Sequence, residues 1–136
     1  MTDVFVDTNV LVYAFDRSDP YKQHAARGVL EGPDVLVVST QVLLEFFVVV
    51  TRKLDPPTPA KLARAAVDEL AKLRVVSADA ALVQRAVDTS ITHQMSVWDA
   101  MILEAAAETG CATIFTEDLS AGSTIRGIQI VDPFAT

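Results

Sequence analysis

Residues Asp34 to Val50 read DVLVVSTQVLLEFFVVV. The opening DVLVVS is a β-branched run of the kind that forms a buried strand. Ser39 and Thr40 are helix-capping residue types, and the stretch Val42 to Val50 is too long and too apolar to be a loop. Strand, cap and helix in immediate succession make the unit from which α/β folds are assembled. One residue resists the pattern: Glu45 stands among eight apolar neighbours. An ionised carboxylate in apolar surroundings costs several kcal/mol unless a cation or hydrogen bonds compensate it, so a partner is expected elsewhere in the chain.

The same alternation recurs on both sides. Strand-like runs are DVFVD (Asp3 to Asp7), RVVS (Arg74 to Ser77), ATIFT (Ala112 to Thr116) and IQIVD (Ile128 to Asp132). Helical spacing marks PYKQHAARGVLEG from Pro20, TPAKLARAAVDELAKL from Thr58, SADAALVQRAVDTSI from Ser77, and SVWDAMILEAAAETG from Ser96 to Gly110. Strands alternating with helices over short connections predict an α/β fold, with a central, mostly parallel sheet and helices on both faces. No repeat, low-complexity tract or linker divides residues 1–136, so one domain is expected. With 136 residues and 51% hydrophobic content, that domain can bury a core without disulfide or zinc staples.

Composition narrows the function. No apolar run approaches the length of a membrane span, and the N-terminus MTDVFVDTN lacks a basic region ahead of an apolar one, so a cytoplasmic protein is expected. The single cysteine, Cys111, lies in an apolar run and reads as a buried thiol. A net charge of −7 argues against broad electrostatic adhesion to nucleic acid. A nucleic-acid substrate stays open, because acids clustered to hold cations count apart from the rest of the surface.

Four acids fit that description. In open α/β sheets, ligands bind beyond the carboxyl ends of the strands. Asp7 ends the first strand, with Thr8 or Asn9 placed to cap the segment after it. Glu45 lies about two turns into its helix, Asp99 falls in the first turn after Ser96, and Asp118 comes directly after the strand ATIFT and Glu117. Each alone reads equally as a cap or turn residue. Together, four carboxylates at one sheet edge would repel one another unless cations sat between them. Oxygen-only ligands suit Mg²⁺ or Mn²⁺, and Glu45's missing partner is most simply such a metal. His24 and His93 show no zinc spacing and read as structural or surface residues. Carboxylate-held Mg²⁺ supports phosphodiester hydrolysis, with Asn9 and Thr116 as candidate hydrogen-bond donors to water or phosphate. The chain carries no G-x-S-x-G elbow, glycine-rich phosphate loop or C-x-x-C pair.

VFVDTNVLVYAFD, Ser39 to Glu45, SVWDAMILEAA, and TEDLSAG with GIQIVDPF, in this order, resemble the PIN-domain ribonucleases, in particular the VapC-type toxins of toxin–antitoxin pairs. The resemblance implies a three-layer fold, Mg²⁺- or Mn²⁺-dependent cleavage of RNA, and neutralisation by a small cognate antitoxin. It assigns the acidic site to Asp7, Glu45, Asp99 and Asp118. Many relatives carry a further aspartate after the last motif, where this chain has Leu119, Ser120 and Ala121, so Glu117 is the substitute candidate. Relatives also commonly form homodimers, which agrees with a Val42–Val50 helix more apolar than a one-sided surface helix requires. The helix could equally be buried on all sides within the domain. Arg17, Lys22, Arg52, Lys53, Lys61 and Arg64 are candidates to flank the crevice and meet phosphates. Two rivals remain. A Mg²⁺-dependent phosphatase of the haloacid-dehalogenase kind would need a second aspartate where Asn9 stands, and a binding-only PIN-like domain would be expected to have lost one of the four acids.

Overall fold

The computed structural model of the protein describes residues 3–135. Its elements are, in chain order, β1 (Asp3–Val6), α1 (Thr8–Tyr13), α2 (Pro20–Glu31), β2 (Val35–Ser39), α3 (Thr40–Arg52), α4 (Ala60–Leu70), β3 (Arg74–Val76), α5 (Ala80–His93), α6 (Val97–Glu108), β4 (Thr113–Phe115), β5 (Thr124–Ile125) and β6 (Ile128–Val131). The five expected strands and the helices between them are all present, with ends displaced by a few residues.

The strands form one sheet in the order β3-β2-β1-β4-β6-β5. All neighbouring pairs are parallel except β5 with β6. Strand β5 is an addition to the elements expected from the sequence. It has only two residues and joins β6 through Arg126 and Gly127, both at positive φ, the conformation of a tight two-residue hairpin turn. So short a strand leaves no periodicity to read.

From β1 to β3 the chain steps outward along one side of the sheet, then returns past β1 to place β4 on the other side. Parallel crossovers are right-handed, so this reversal puts α1 to α4 on one face and α5 with α6 on the other. The result is the three-layer α/β arrangement expected from the sequence. Val37, Val38, Phe5 and Val6 from the central strands are fully buried beneath Phe46 and Val50 of α3 and Leu103 and Ala105 of α6. Reversal between β1 and β4 also opens a crevice at their carboxyl ends.

Local chemistry explains the helix starts. Ser39 caps α3 by accepting a hydrogen bond from the Val42 amide, and Ser96 caps α6 by accepting one from the Asp99 amide. Asp7, not Thr8 or Asn9, caps α1, accepting from the Thr8 amide at 2.7 Å. Asp79, not Ser77, caps α5. Helix α3 buries Val42, Phe46 and Val50 at four-residue spacing but leaves Leu44 69% and Val48 41% exposed. The alternative in which α3 is enclosed on every side is therefore excluded. A second exposed apolar stripe runs along α5 through Val83, Val87 and Ile91.

Candidate active site

The carboxyl ends of the two central strands are stitched together. The Asp7 amide donates to the Phe115 carbonyl at 3.0 Å, which fixes the residue after β1 beside the residue after β4. There the buried Thr116 hydroxyl donates to Asp7 Oδ2 at 2.9 Å and accepts from the Asp118 amide and from Asn9 Nδ2. Asn9 Nδ2 also donates to Asp118 Oδ2 at 3.0 Å. Asn9 and Thr116, expected as donors to a water or a phosphate, thus orient the carboxylates of Asp7 and Asp118.

Glu45 is held from α1. Thr8 Oγ1 donates to its Oε2 at 3.0 Å, and Gln41 Nε2, one turn earlier on α3, donates to its Oε1 at 2.8 Å. The partners that the fold itself gives this carboxylate are therefore a pair of neutral donors. Glu45 also leaves the apolar face of its helix. Gln41, Glu45, Val49 and Lys53 recur every four residues and line a pocket, while Val42, Phe46 and Val50 enter the core.

That pocket has a volume of about 430 Å³ and is lined by all four predicted acids, Asp7, Glu45, Asp99 and Asp118, together with Asp16 and Glu117. Lys53 is the only basic residue among the described residues that line it. Six acids against one base make the pocket repel anions unless cations enter it. The Asp7 carboxyl is perturbed chiefly by burial, with this crowding as a lesser cause. Only 9% exposed, Asp7 has its carboxyl pushed up to about 6 from 3.8, first by burial and then by the charges of Asp118 and Glu45, against the lowering effect of its hydrogen bonds from Thr116 and Thr8.

The donor chemistry fits a hard divalent ion. It is oxygen only, and Gln41 Oε1 is a buried acceptor with no hydrogen-bond partner among the described residues. His24 and His93 lie away from the pocket wall and Cys111 is buried, and none of the three lines the pocket. As the side chains stand, no three acidic, histidine or cysteine groups among the described residues converge tightly enough to grip an ion. Glu45, Asp7 and Asp118 would exchange some of their internal hydrogen bonds for one.

Glu117 has another occupation. Its Oε2 accepts from Lys22 Nζ at 2.7 Å and its Oε1 from the Tyr13 hydroxyl at 2.9 Å, while Lys22 lies over the Tyr13 and Phe134 rings. Lys22, thereby committed, holds its proton more firmly than usual. Of the other candidate cations, Arg17 lines a second, more apolar groove and Arg64 pairs with Asp68. Sequence reasoning assigned no part in the site to Tyr13, Asp16, Gln41 or Trp98, and it read Thr8 only as a helix cap. Gln41 could have been found from its four-residue spacing to Glu45.

The model of the PIN domain family matches residues 4–121. The chain belongs to the PIN-domain family. A comparison with curated proteins returns no match. Among solved structures, this PIN domain is similar to VapC20 of Mycobacterium tuberculosis, a toxin that cleaves the sarcin–ricin loop, with 24% identity over 93% of this chain and 98% of that one, at a TM-score of 0.71. A toxin–antitoxin complex from Klebsiella pneumoniae is 21% identical over 96% of this chain and 97% of that one, also at 0.71. DNA-bound VapBC from Salmonella typhimurium is 21% identical over 98% and 99%, at 0.65. The fold is that of the VapC toxins.

Proposed function

We propose that this PIN domain, one domain over residues 1–136, is a Mg²⁺- or Mn²⁺-dependent endoribonuclease and the toxin of a type II toxin–antitoxin pair. The observation that carries the reading is that Asp7, Glu45, Asp99 and Asp118, from four separate segments, line one pocket at the carboxyl edge of the sheet. Their role would be to hold the metal, which when bound supplies an activated water and charge neutralisation at the phosphate. The chain's own residues do the positioning. Thr8 and Gln41 set the rotamer of Glu45, Thr116 sets that of Asp7, and Asn9 steadies Asp118. Lys53 is placed to meet a phosphate oxygen at the pocket wall. Glu117 serves as the counter-ion of Lys22 in this reading, outside the metal's ligands.

The surface suggests the partners. The second groove, of about 730 Å³, is walled by Leu30, Leu54, Leu62 and Pro57 and shares Asp16 and Leu54 with the acid pocket. A peptide seated there would reach the site, and similar structures are complexes with antitoxins. The exposed Leu44 and Val48 on α3 support a homodimer. No helix among the described residues is long and apolar enough to cross a membrane, and a cytoplasmic location agrees with the proposed RNA substrate.

The test is cleavage of total RNA by purified protein freed of any co-purifying antitoxin, with Mg²⁺, with Mn²⁺ and with EDTA, alongside Asp7→Asn. Discrete fragments that require metal and vanish in the variant are expected. Folded protein inert with both metals would favour a domain that only binds.

A further inference from the structure

One element of the acid pocket has no task in carboxylate chemistry. Trp98, the chain's single tryptophan, is the second residue of α6 and lines the pocket with Asp99 and Ile102, yet its surface is 65% exposed. Tryptophan is usually well buried, because its large ring contributes more apolar contact than any other side chain. Here no ring or cation contact engages it among the described residues, whereas Phe15 and Phe46 pair with each other, and Tyr13 pairs with Phe134. Its place is set by helix geometry. Successive residues turn by about 100°, so Trp98 and Asp99 point in different directions, and a ring that lines the pocket yet is 65% exposed stands at its mouth.

The same pocket receives Lys53 from the end of α3. An exposed π-face and one cation on the wall of a carboxylate-lined pocket form a combination that suits a single nucleic-acid strand. Such strands are gripped by cations along the backbone and by aromatic faces under the bases, and stacking of this kind tolerates any base. A duplex presents no free face without first extruding a base. Resting on the nuclease reading of this site, we propose that Trp98 is a stacking platform for the base beside the scissile phosphate. Trp98 is then a positioning residue that holds this base, while the acids perform the chemistry.

Because Trp98 is the only tryptophan, its fluorescence reports this rim alone. The experiment titrates the Mg²⁺-loaded protein with a short mixed-sequence RNA strand and with the same strand annealed to its complement. Saturable quenching by the single strand and little by the duplex is expected. In parallel, anisotropy of the labelled strand should show Trp98→Ala binding about 5- to 150-fold more weakly, with Trp98→Phe retaining most of the affinity, both variants melting like the parent. Emission unmoved at saturating strand, equal binding of duplex and strand, or undiminished binding by Trp98→Ala would overturn the proposal. So would emission that shifts with protein concentration alone, which would assign the ring to a contact between copies of this chain. A strand that quenches but is never cut removes the nuclease reading and leaves the platform; a strand that is cut with emission unmoved does the reverse.

Discussion

Replacing Asp7 with asparagine should stabilise the metal-free protein at neutral pH while abolishing its activity. Burial raises this carboxyl from 3.8 to about 6, so the folded state binds the proton more tightly than the unfolded chain does. Below 3.8 the group is protonated in both states and costs nothing. The cost grows as pH rises through the interval and is complete above about 6, where a shift of roughly two pH units corresponds to about 3 kcal/mol. Asparagine never ionises and escapes it. The substitution has its own penalty: the Thr116 hydroxyl donates to Asp7 Oδ2 while its acceptor capacity is taken by Asn9 and the Asp118 amide, so an amide nitrogen at that position loses about 1 kcal/mol. Asparagine is as good a helix cap as aspartate, so α1 should keep its start. The net gain at about pH 8 is then about 2 kcal/mol, or about 8 °C in Tm for a domain of this size. At about pH 4 and below the gain should shrink away and leave the variant slightly the less stable. Thermal melts followed by circular dichroism in EDTA, between about pH 4 and about pH 8, measure this. A Tm difference that stays constant across that range would refute the reasoning, because it would mean that the Asp7 charge carries no desolvation cost in the fold.

The same geometry yields further expectations. Glu45→Gln should weaken Mn²⁺ binding, measured by calorimetry, by at least the roughly 10- to 100-fold that loss of a ligand's supporting hydrogen bond typically costs; unchanged affinity would remove Glu45 from the site. Phe46→Ala, which empties a fully buried position between α3 and the sheet, should cost about 3–5 kcal/mol in urea unfolding, and a loss below about 1 kcal/mol would contradict the packing of α3. Leu44→Asp, on the exposed face of α3, should leave the melting of the monomer nearly unchanged but shift sedimentation towards monomer, and an unaltered oligomeric state would place the contact elsewhere.

Much of the candidate site was legible in one dimension because its parts carry local signatures. A β-branched run ending in Asp7, a cap at Ser39 ahead of the oddly placed Glu45, and Ser96 three residues before Asp99 are each written within a few adjacent residues. The strand–helix alternation is local in the same sense, since backbone periodicity and capping depend on neighbours along the chain. Together with the reversal rule for open sheets, these sufficed to bring the four acids to one edge.

Tertiary structure decided what those acids touch. The Thr116 to Asp7 bond spans 109 residues, the Thr8 to Glu45 bond 37, and the Lys22 to Glu117 pair 95. No local pattern encodes such partners, because they exist only once β1 has docked beside β4 and α1 has packed against α3. That docking supplied Glu45 with a neutral donor from α1 and tied up Glu117. It also separated the two sides of VLLEFFVVV, giving Phe46 to the core, Leu44 to the surface and Glu45 to the pocket. Trp98 shows the same limit: sequence placed it beside Asp99, but only the packed helices revealed that its ring remains exposed at the pocket mouth. Which residues form an element is settled by near neighbours in the chain, and what an element faces is settled by the elements that pack against it.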